Sequence, residues 1–221
     1  MKGRLEEIIS YSFKDKALLT RALTHSSCSH ETGGESNERL EFLGDAVLEF
    51  IVSGMLYESF PEMPEGWLTK RRAALVCESS LAEAARNLAV GEFLLLGKGE
   101  DSSGGRGRGT VLSDAIEALI GAIYLDGGID AATEFIERTI GPAMEGARLT
   151  DPKTALQEIL QRGGGAPASY EIIGESGPPH RKRYQSSVSH MGRTLGIGSG
   201  SNKKESEQNA ASAALEKLGI Q

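Results

Sequence analysis

The chain has 221 residues, enough for one large domain or two smaller ones. Hydrophobic residues make up 39% of it, adequate for a core, and no apolar run approaches the ~20 residues a helix needs to span a bilayer. The net charge of −7 speaks against a nucleic-acid binder until it is divided: residues 1–150 hold 15 Lys and Arg against 24 Asp and Glu, residues 151–221 hold 9 against 7.

The start, Met1-Lys2-Gly3-Arg4-Leu5-Glu6-Glu7, is charged but has no apolar signal-peptide core after it, so a cytoplasmic protein is expected. Cys28 and Cys77 are the only cysteines, and two isolated thiols without an export signal are expected to be reduced. Helices are predicted over Leu5–Ile9 and Lys16–Leu23, with Phe13 packed where they meet. His25 and His30 flank a polar loop, for which a structural or solvated role is the plainer reading against a phosphate contact. Residues 29–36 read as an exposed loop.

Asn37 to Phe50, NERLEFLGDAVLEF, reads as a helix with two faces, capped by Ser36 or Asn37. Leu40, Leu43, Val47 and Phe50 lie near one stripe, and Glu38, Glu41 and Asp45 lie at i, i+3 and i+7 on another. Like charges one turn apart repel by about 0.2–0.5 kcal/mol per pair. A hard divalent cation would offset that repulsion, and a plain solvated acidic face is the competing reading. Ser53 to Phe60 continues or bends this helix, and Pro61 and Pro64 break the chain.

Further helices are predicted over 65–76, whose Lys70-Arg71-Arg72 run suits phosphates or an acidic neighbour, and over 79–88. Val90–Leu96 is short and apolar, and the glycine-rich 99–110 stretch, with Arg106 and Arg108, supports neither helix nor strand. Thr110 to Asp126 is almost wholly apolar except for Asp114 and Glu117, one turn apart. Ionisable groups on a core helix are costly unless paired or metal-bound, and no Lys or Arg occurs between Ser113 and Asp126. Ala118, Gly121 and Ala122 would let another helix approach closely. The joint expectation is that Glu41 and Asp45 face Asp114 and Glu117 and hold one or two hard cations. No His and Cys cluster suggests zinc instead. A helix over 129–140 follows, ended or kinked at Gly141-Pro142.

Beyond residue 150 the pattern changes to α-β-β-β-α. Asp151 caps and Pro152 opens a helix over 154–162, ended by Gly163-Gly164-Gly165. Strands are predicted over 168–173, 184–190 and 193–197, then a final helix with Asn202 as cap and Glu205 at N3, a capping box. Lys203 and Lys204 in the first turn of that helix make an anion site with its free N–H groups. With His180-Arg181-Lys182-Arg183 in a strand loop and Gln157 and Glu158 on the first helix, this module suits A-form RNA.

These segments carry a family pattern. Asn37 to Leu48, NERLEFLGDAVL, resembles the signature of bacterial ribonuclease III, and Asp114 to Asp126, DAIEALIGAIYLD, is similar to its second acidic motif. Asp151 to Glu158, Gly177-Pro178-Pro179-His180 and Lys203-Lys204-Glu205 resemble a double-stranded-RNA-binding domain. The resemblance implies an all-α endonuclease domain over residues 1–146, a linker over 147–150, and a small α-β-β-β-α double-stranded-RNA-binding domain over 151–221. It implies Glu41, Asp45, Asp114 and Glu117 as catalytic, metal-binding carboxylates for Mg2+, with Mn2+ as a substitute. Glu38, Glu65, Arg106, Arg108, Gln157, His180, Arg181, Lys182, Lys203 and Lys204 become substrate contacts, and Phe42 a contact in a homodimer.

The implied reaction is hydrolysis of duplex RNA by metal-activated water. It leaves 5′-phosphates, 3′-hydroxyls and two-nucleotide 3′ overhangs, and serves the processing of ribosomal and other structured RNA precursors. The chain departs from the family pattern at Gly-Arg-Gly-Arg-Gly, where relatives often have more Arg and a Glu near Gly109, and at Ser201-Asn202, where they often have a basic residue and Ser. Three competing readings are a non-cleaving duplex-RNA binder, a hydrolase of small phosphate compounds, and a helical scaffold with merely solvated charges.

Overall fold

The structure is a computed structural model that describes residues 2–61, 63–146, 152–162, 166–178 and 181–219. The chain folds into two units, Met1–Ser59 with Lys70–Glu145, and Phe60–Thr69 with Gly146–Gln221. The expected linker over 147–150, the Asp151 cap and the Gly163–Gly165 stop lie outside the described residues.

The first unit is helical. Helix α1 (Lys2–Ile8) and helix α2 (Lys16–Ala22) meet at Phe13, which is buried and stacks edge-on against Tyr11. Asp15 caps α2 by accepting Ala17 N–H at 2.8 Å. Residues 26–32 form helix α3 (Ser26–Thr32), where the sequence predicts an exposed loop over most of the same stretch. Its polar sequence carries no apolar period to betray it; His25 caps its start, and Gly33, with φ 77°, ends it in the left-handed region.

Helix α4 (Glu38–Ser59) runs on through Ser53 as one rod. Its buried stripe is Leu40, Gly44, Val47, Leu48, Ile51, Val52 and Leu56. Phe50, expected on that stripe, instead points outward at 69% exposure, along with Phe42 at 81% and Tyr57 at 73%. The helix therefore has a second apolar face.

Helix α5 (Glu65–Leu75), which belongs to the first unit from Lys70 on, and helix α6 (Glu78–Asn87) follow as expected. Val90–Phe93 is a single 3-10 turn, and Thr24 pairs with Leu95 in an isolated parallel bridge. The 99–110 stretch is more ordered than its glycines suggest, with helix α7 (Lys98–Ser102) and a 3-10 turn over Gly105–Gly107. Glu31 accepts Lys98 N–H at 2.8 Å and Ser27 Oγ accepts Gly97 N–H at 2.9 Å, so distant side chains supply the caps that local sequence lacks.

Helix α8 (Gly109–Gly146) is the core of this unit. Val111, Leu112, Ala115, Ile116, Ala118, Leu119, Ile120, Ala122 and Ile123 are buried around its whole circumference. Gly128, with φ 82°, breaks its helical geometry, which marks the expected boundary between two helices. Pro142 does not end it: the helix reaches Gly146, and Arg71 donates to Met144 O at 3.1 Å near its C-terminus. Arg71 is thus buried, at 5% exposure, and is not available to phosphate.

In the second unit, helix α9 (Pro152–Arg162) precedes strands β1 (Ser169–Ser176), β2 (Arg183–His190) and β3 (Arg193–Gly200), and helix α10 (Lys203–Lys217) closes it. The sheet is antiparallel in the order β1-β2-β3, with Tyr170 opposite Val188 and Val188 opposite Gly196. Helix α10 packs on the sheet and on α9, burying Val188, Ala210, Ala214, Leu215 and Leu156. Asn202 caps α10 by accepting Glu205 N–H at 2.9 Å, while Glu205 reaches back to Ser201 N–H at 2.6 Å, one residue earlier than in a standard capping box. The described residues hold no helix long and apolar enough to cross a membrane.

Candidate active site

Helices α4 and α8 cross where each lacks a side chain. A Cβ on Gly44 would stand 1.7 Å from Glu117 O, and one on Gly121 would stand 2.3 Å from Leu40 O. The two backbones therefore touch. Glu41 and Glu117 each lie one turn before the glycine of their own helix, which brings their carboxylates to one side of the crossing. Asp114, one turn before Glu117, completes the group. Oxygens of Glu41, Asp114 and Glu117 lie within 4.8 Å of one another, and all three residues are half-buried.

The electrostatics show negative charge that no Lys or Arg offsets locally. Burial, then the charges of Asp45, Glu41 and Asp114, push the Glu117 carboxyl up to about 7. Burial, then Asp114, Glu38 and Asp45, raise Glu41 as well. Asp114 is raised by burial, opposed by a hydrogen bond from Ser113 and by the neighbouring His25, and pushed further by Glu78. Asp45 is exposed and stands outside the close trio, yet among the carboxylates its charge acts most strongly on Glu117. Glu38 is exposed and accepts the Ser36 hydroxyl at 2.7 Å.

The oxygen-only donor set fits a hard divalent cation. Oxygens on opposite sides of an ion bound at ~2.1 Å are ~4.2 Å apart, so small side-chain rotations would close the trio on one ion.

Two neighbours of Asp114 carry no signal of this place in the sequence. Glu78 Oε1 lies 2.7 Å from where a Cβ on Gly109 would sit, so the missing side chain at 109 makes room for it. In the sequence Glu78 is merely an acidic residue in a first helical turn, a commonplace of helix dipoles. His25 reads there as a structural or solvated ring.

The loop arginines divide. Arg106 donates to both oxygens of Asp101, at 2.6 and 3.1 Å, and to Gly91 O and Leu94 O at 3.1 and 2.8 Å, so its donors fix the loop. Arg108 pairs with Glu100 at 2.7 Å and is the more exposed of the two.

Comparison with known proteins matches both units. Residues 15–144 fit the family model described as Ribonuclease-III-like, and residues 152–218 fit the double-stranded RNA binding motif. Ribonuclease 3 of Symbiobacterium thermophilum is 51% identical over 214 residues, covering 95% of this chain and 91% of its own. Ribonuclease 3 of Caldanaerobacter subterraneus subsp. tengcongensis is 50% identical over 222 residues, covering 98% and 97%.

The chain belongs to the ribonuclease III family. It is an enzyme, a hydrolase of the endoribonuclease class. A solved nuclease domain of ribonuclease III from Campylobacter jejuni aligns at a TM-score of 0.60 and 46% identity, covering 63% of this chain and 95% of its own.

In the matched RNA-binding motif, Lys203 and Lys204 are exposed at the start of α10, and the Lys203 ammonium lies 5.9 Å from the centre of the Tyr184 ring. A groove of about 840 Å³ is lined by Arg181, Lys182, Arg183, Tyr184 and Asn202. Lys182 pairs with Glu175, and Arg181 is exposed. His180 lies outside the described residues. Gln157 accepts Ala168 N–H at 2.9 Å, leaving its amide NH2 as the group with which it can meet RNA. Glu65 opens α5, is exposed and accepts the Thr69 hydroxyl at 2.8 Å.

Proposed function

We propose that this member of the family hydrolyses phosphodiester bonds in double-stranded RNA at the acidic crossing, with residues 1–146 as the nuclease domain and 151–221 as the duplex grip. The observation that carries the reading is the Glu41, Asp114 and Glu117 oxygen trio within 4.8 Å, on helices whose backbones touch. Glu41, Asp114 and Glu117 hold a divalent cation, Mg2+ with Mn2+ as a substitute, and Asp45 joins them by rotation of its exposed side chain. When bound, that cation lowers the pKa of water and stabilises the charge on the leaving 3′-oxygen, so that in-line attack leaves a 5′-phosphate and a 3′-hydroxyl.

The chain's own residues do the rest. The carboxylates repel a polyanion, so binding free energy comes from Lys203, Lys204, Arg181, Lys182 and Gln157 in the RNA-binding motif, with Arg108 near the cleavage site. Glu38 and Glu65 contribute to the substrate site. Cleavage of labelled duplex RNA in Mg2+ but not in EDTA is the expected result. Duplex binding without cutting in either would favour the non-cleaving binder.

Replacing both Lys203 and Lys204 with alanine is expected to weaken duplex binding and to flatten its log-log salt slope by about one per lysine lost. Salt-titrated gel shifts measure it, and an unchanged slope removes these lysines from the phosphate contacts.

We further propose a homodimer with two-nucleotide 3′ overhangs as its product, acting on ribosomal and other structured RNA precursors. The support is the outward apolar face of α4, with Phe42, Phe50 and Tyr57 exposed. The Campylobacter jejuni nuclease domain is also described as flexible in a region involved in dimer formation. Sedimentation of Phe42→Glu is expected to shift particles from twice the chain mass toward 23.5 kDa.

A further inference from the structure

The nuclease reading leaves one ring beside the carboxylates without a task. His25 sits where the lead-in segments of both acid-bearing helices are stitched together. Its N–H donates to Leu95 O at 3.0 Å, Leu95 N–H donates to Leu23 O at 2.8 Å, and Asn37 N–H, just before α4, donates to Thr24 O at 2.8 Å. Ser27 Oγ holds Gly97 N–H in the segment that runs on toward α8. These bonds fix the backbone around His25 at the entry to α4, one turn before Glu41, and the imidazole is near enough to Asp114 to act on its carboxyl.

The ring's chemistry is set by its cap. Ser27 N–H donates to Nδ1 at 3.2 Å, and the Ser27 hydroxyl lies 2.9 Å from the same nitrogen. An amide can only donate, so Nδ1 accepts and the proton of the neutral ring lies on Nε2. Among the described residues Nε2 makes no hydrogen bond, and it is not sealed from solvent. Capping alone does not explain the ring, because Ser, Thr, Asp or Asn performs that task with a smaller side chain.

We infer that His25 is a further residue of the cleavage site: its Nε2–H donates to the RNA sugar–phosphate backbone on the Asp114 side of the acidic pocket. This inference rests on the nuclease reading. A neutral donor suits the position, since it meets a phosphate or hydroxyl oxygen without bringing a second positive charge against the cation.

Two substitutions separate donor from cap. In His25→Asn the amide oxygen reproduces the Nδ1 acceptor and the Nε2 donor is lost. In His25→Gln the amide nitrogen reaches the Nε2 position and the cap is lost. Single-turnover cleavage of duplex RNA in Mg2+ is expected to fall about 10²-fold in the Asn variant. The melting temperature and duplex binding in EDTA are expected to stay at wild-type levels. The Gln variant is expected to stay within a few-fold of wild type per folded molecule.

The reverse order, or equal rates in both variants, overturns the inference and leaves His25 a helix cap. Independently of activity, histidine ¹⁵N shifts of the metal-free protein, assigned by loss of a signal in the Asn variant, are expected to show the Nε2–H tautomer in the neutral ring. The Nδ1–H tautomer overturns the inference. A wild-type chain that does not cut duplex RNA sinks the nuclease reading itself, whereas a cutting wild type with the reverse variant order sinks this inference alone.

Discussion

Glu117→Gln is expected to lower duplex cleavage by about 10³-fold or more while leaving duplex binding intact, and to stabilise the metal-free protein at alkaline pH. The substitution keeps the shape of the side chain and removes its charge. In the folded chain the Glu117 carboxyl is pushed from an ordinary 4.5 up to about 7, first by burial and then by Asp45, Glu41 and Asp114. A raised carboxyl pKa means that the folded state holds the proton more tightly than the unfolded one. The resulting stability is fully present below about pH 4.5 and is lost as pH rises through about 7. In EDTA at pH 8, therefore, the wild type carries an ionised, half-buried Glu117 among like charges, and the Gln variant does not.

Melting in EDTA is expected to be a few degrees higher for the variant at pH 8, with the difference closing at pH 5; each kcal/mol is worth about 2–4 °C in a chain of this size. Mg2+ at pH 8 is expected to raise the wild-type melting temperature and to leave that of the variant nearly unmoved. A variant that melts below wild type at pH 8 in EDTA would show that Glu117 is held by a compensating partner, and the cation reading would lose its electrostatic basis.

The sequence reveals these carboxylates because their positions violate helix statistics. Glu38, Glu41 and Asp45 on one face, and Asp114 and Glu117 on a helix otherwise apolar, are local patterns with a 3.6-residue period. The change from helices to strands after residue 150 is legible because strands, too, are set by local sequence and bounded by turn residues. What is not legible depends on partners far along the chain. Helix α3 consists of SSCSHET, without an apolar stripe, and the structure holds its N-cap His25 and the side chains of Ser27 and Glu31 against residues 95–98. The glycine-rich stretch folds because Arg106 binds Asp101, Gly91 and Leu94, and only the Asp101 pair is near in sequence. Arg71 reads as part of a phosphate-binding run, yet it is buried near the far end of α8. Glu78 and His25 gain their place beside Asp114 only through tertiary contact.

Gly44→Ala is expected to cost both stability and activity, because the crossing has no room for a methyl group. Its Cβ would fall 1.7 Å from Glu117 O and 2.6 Å from the same carbonyl carbon, both backbone atoms that cannot rotate away. The helices must separate by about an ångström or more to accept it. Overpacking of this kind costs about 1–3 kcal/mol, or several degrees in melting temperature. The activity loss has a different cause. Glu41 rides on α4 and Glu117 on α8, so separation pulls apart the oxygens that share a 4.8 Å set. A misplacement of about 1 Å in a reacting array can cost about 10²-fold in rate.

Cleavage per folded molecule is therefore expected to drop by that order in Gly44→Ala, while duplex binding in EDTA, supplied by the RNA-binding motif, holds. Gly54→Ala is the control. It lies ten residues further along the same helix, nothing lies within 4 Å of its would-be Cβ, and replacing a helical glycine there is expected to stabilise by about 0.5–1 kcal/mol with cleavage unchanged. If Gly44→Ala cuts within a few-fold of wild type, the backbone contact does not position the carboxylates. If Gly54→Ala loses as much activity as Gly44→Ala, the loss reflects the helix as a whole and not the crossing.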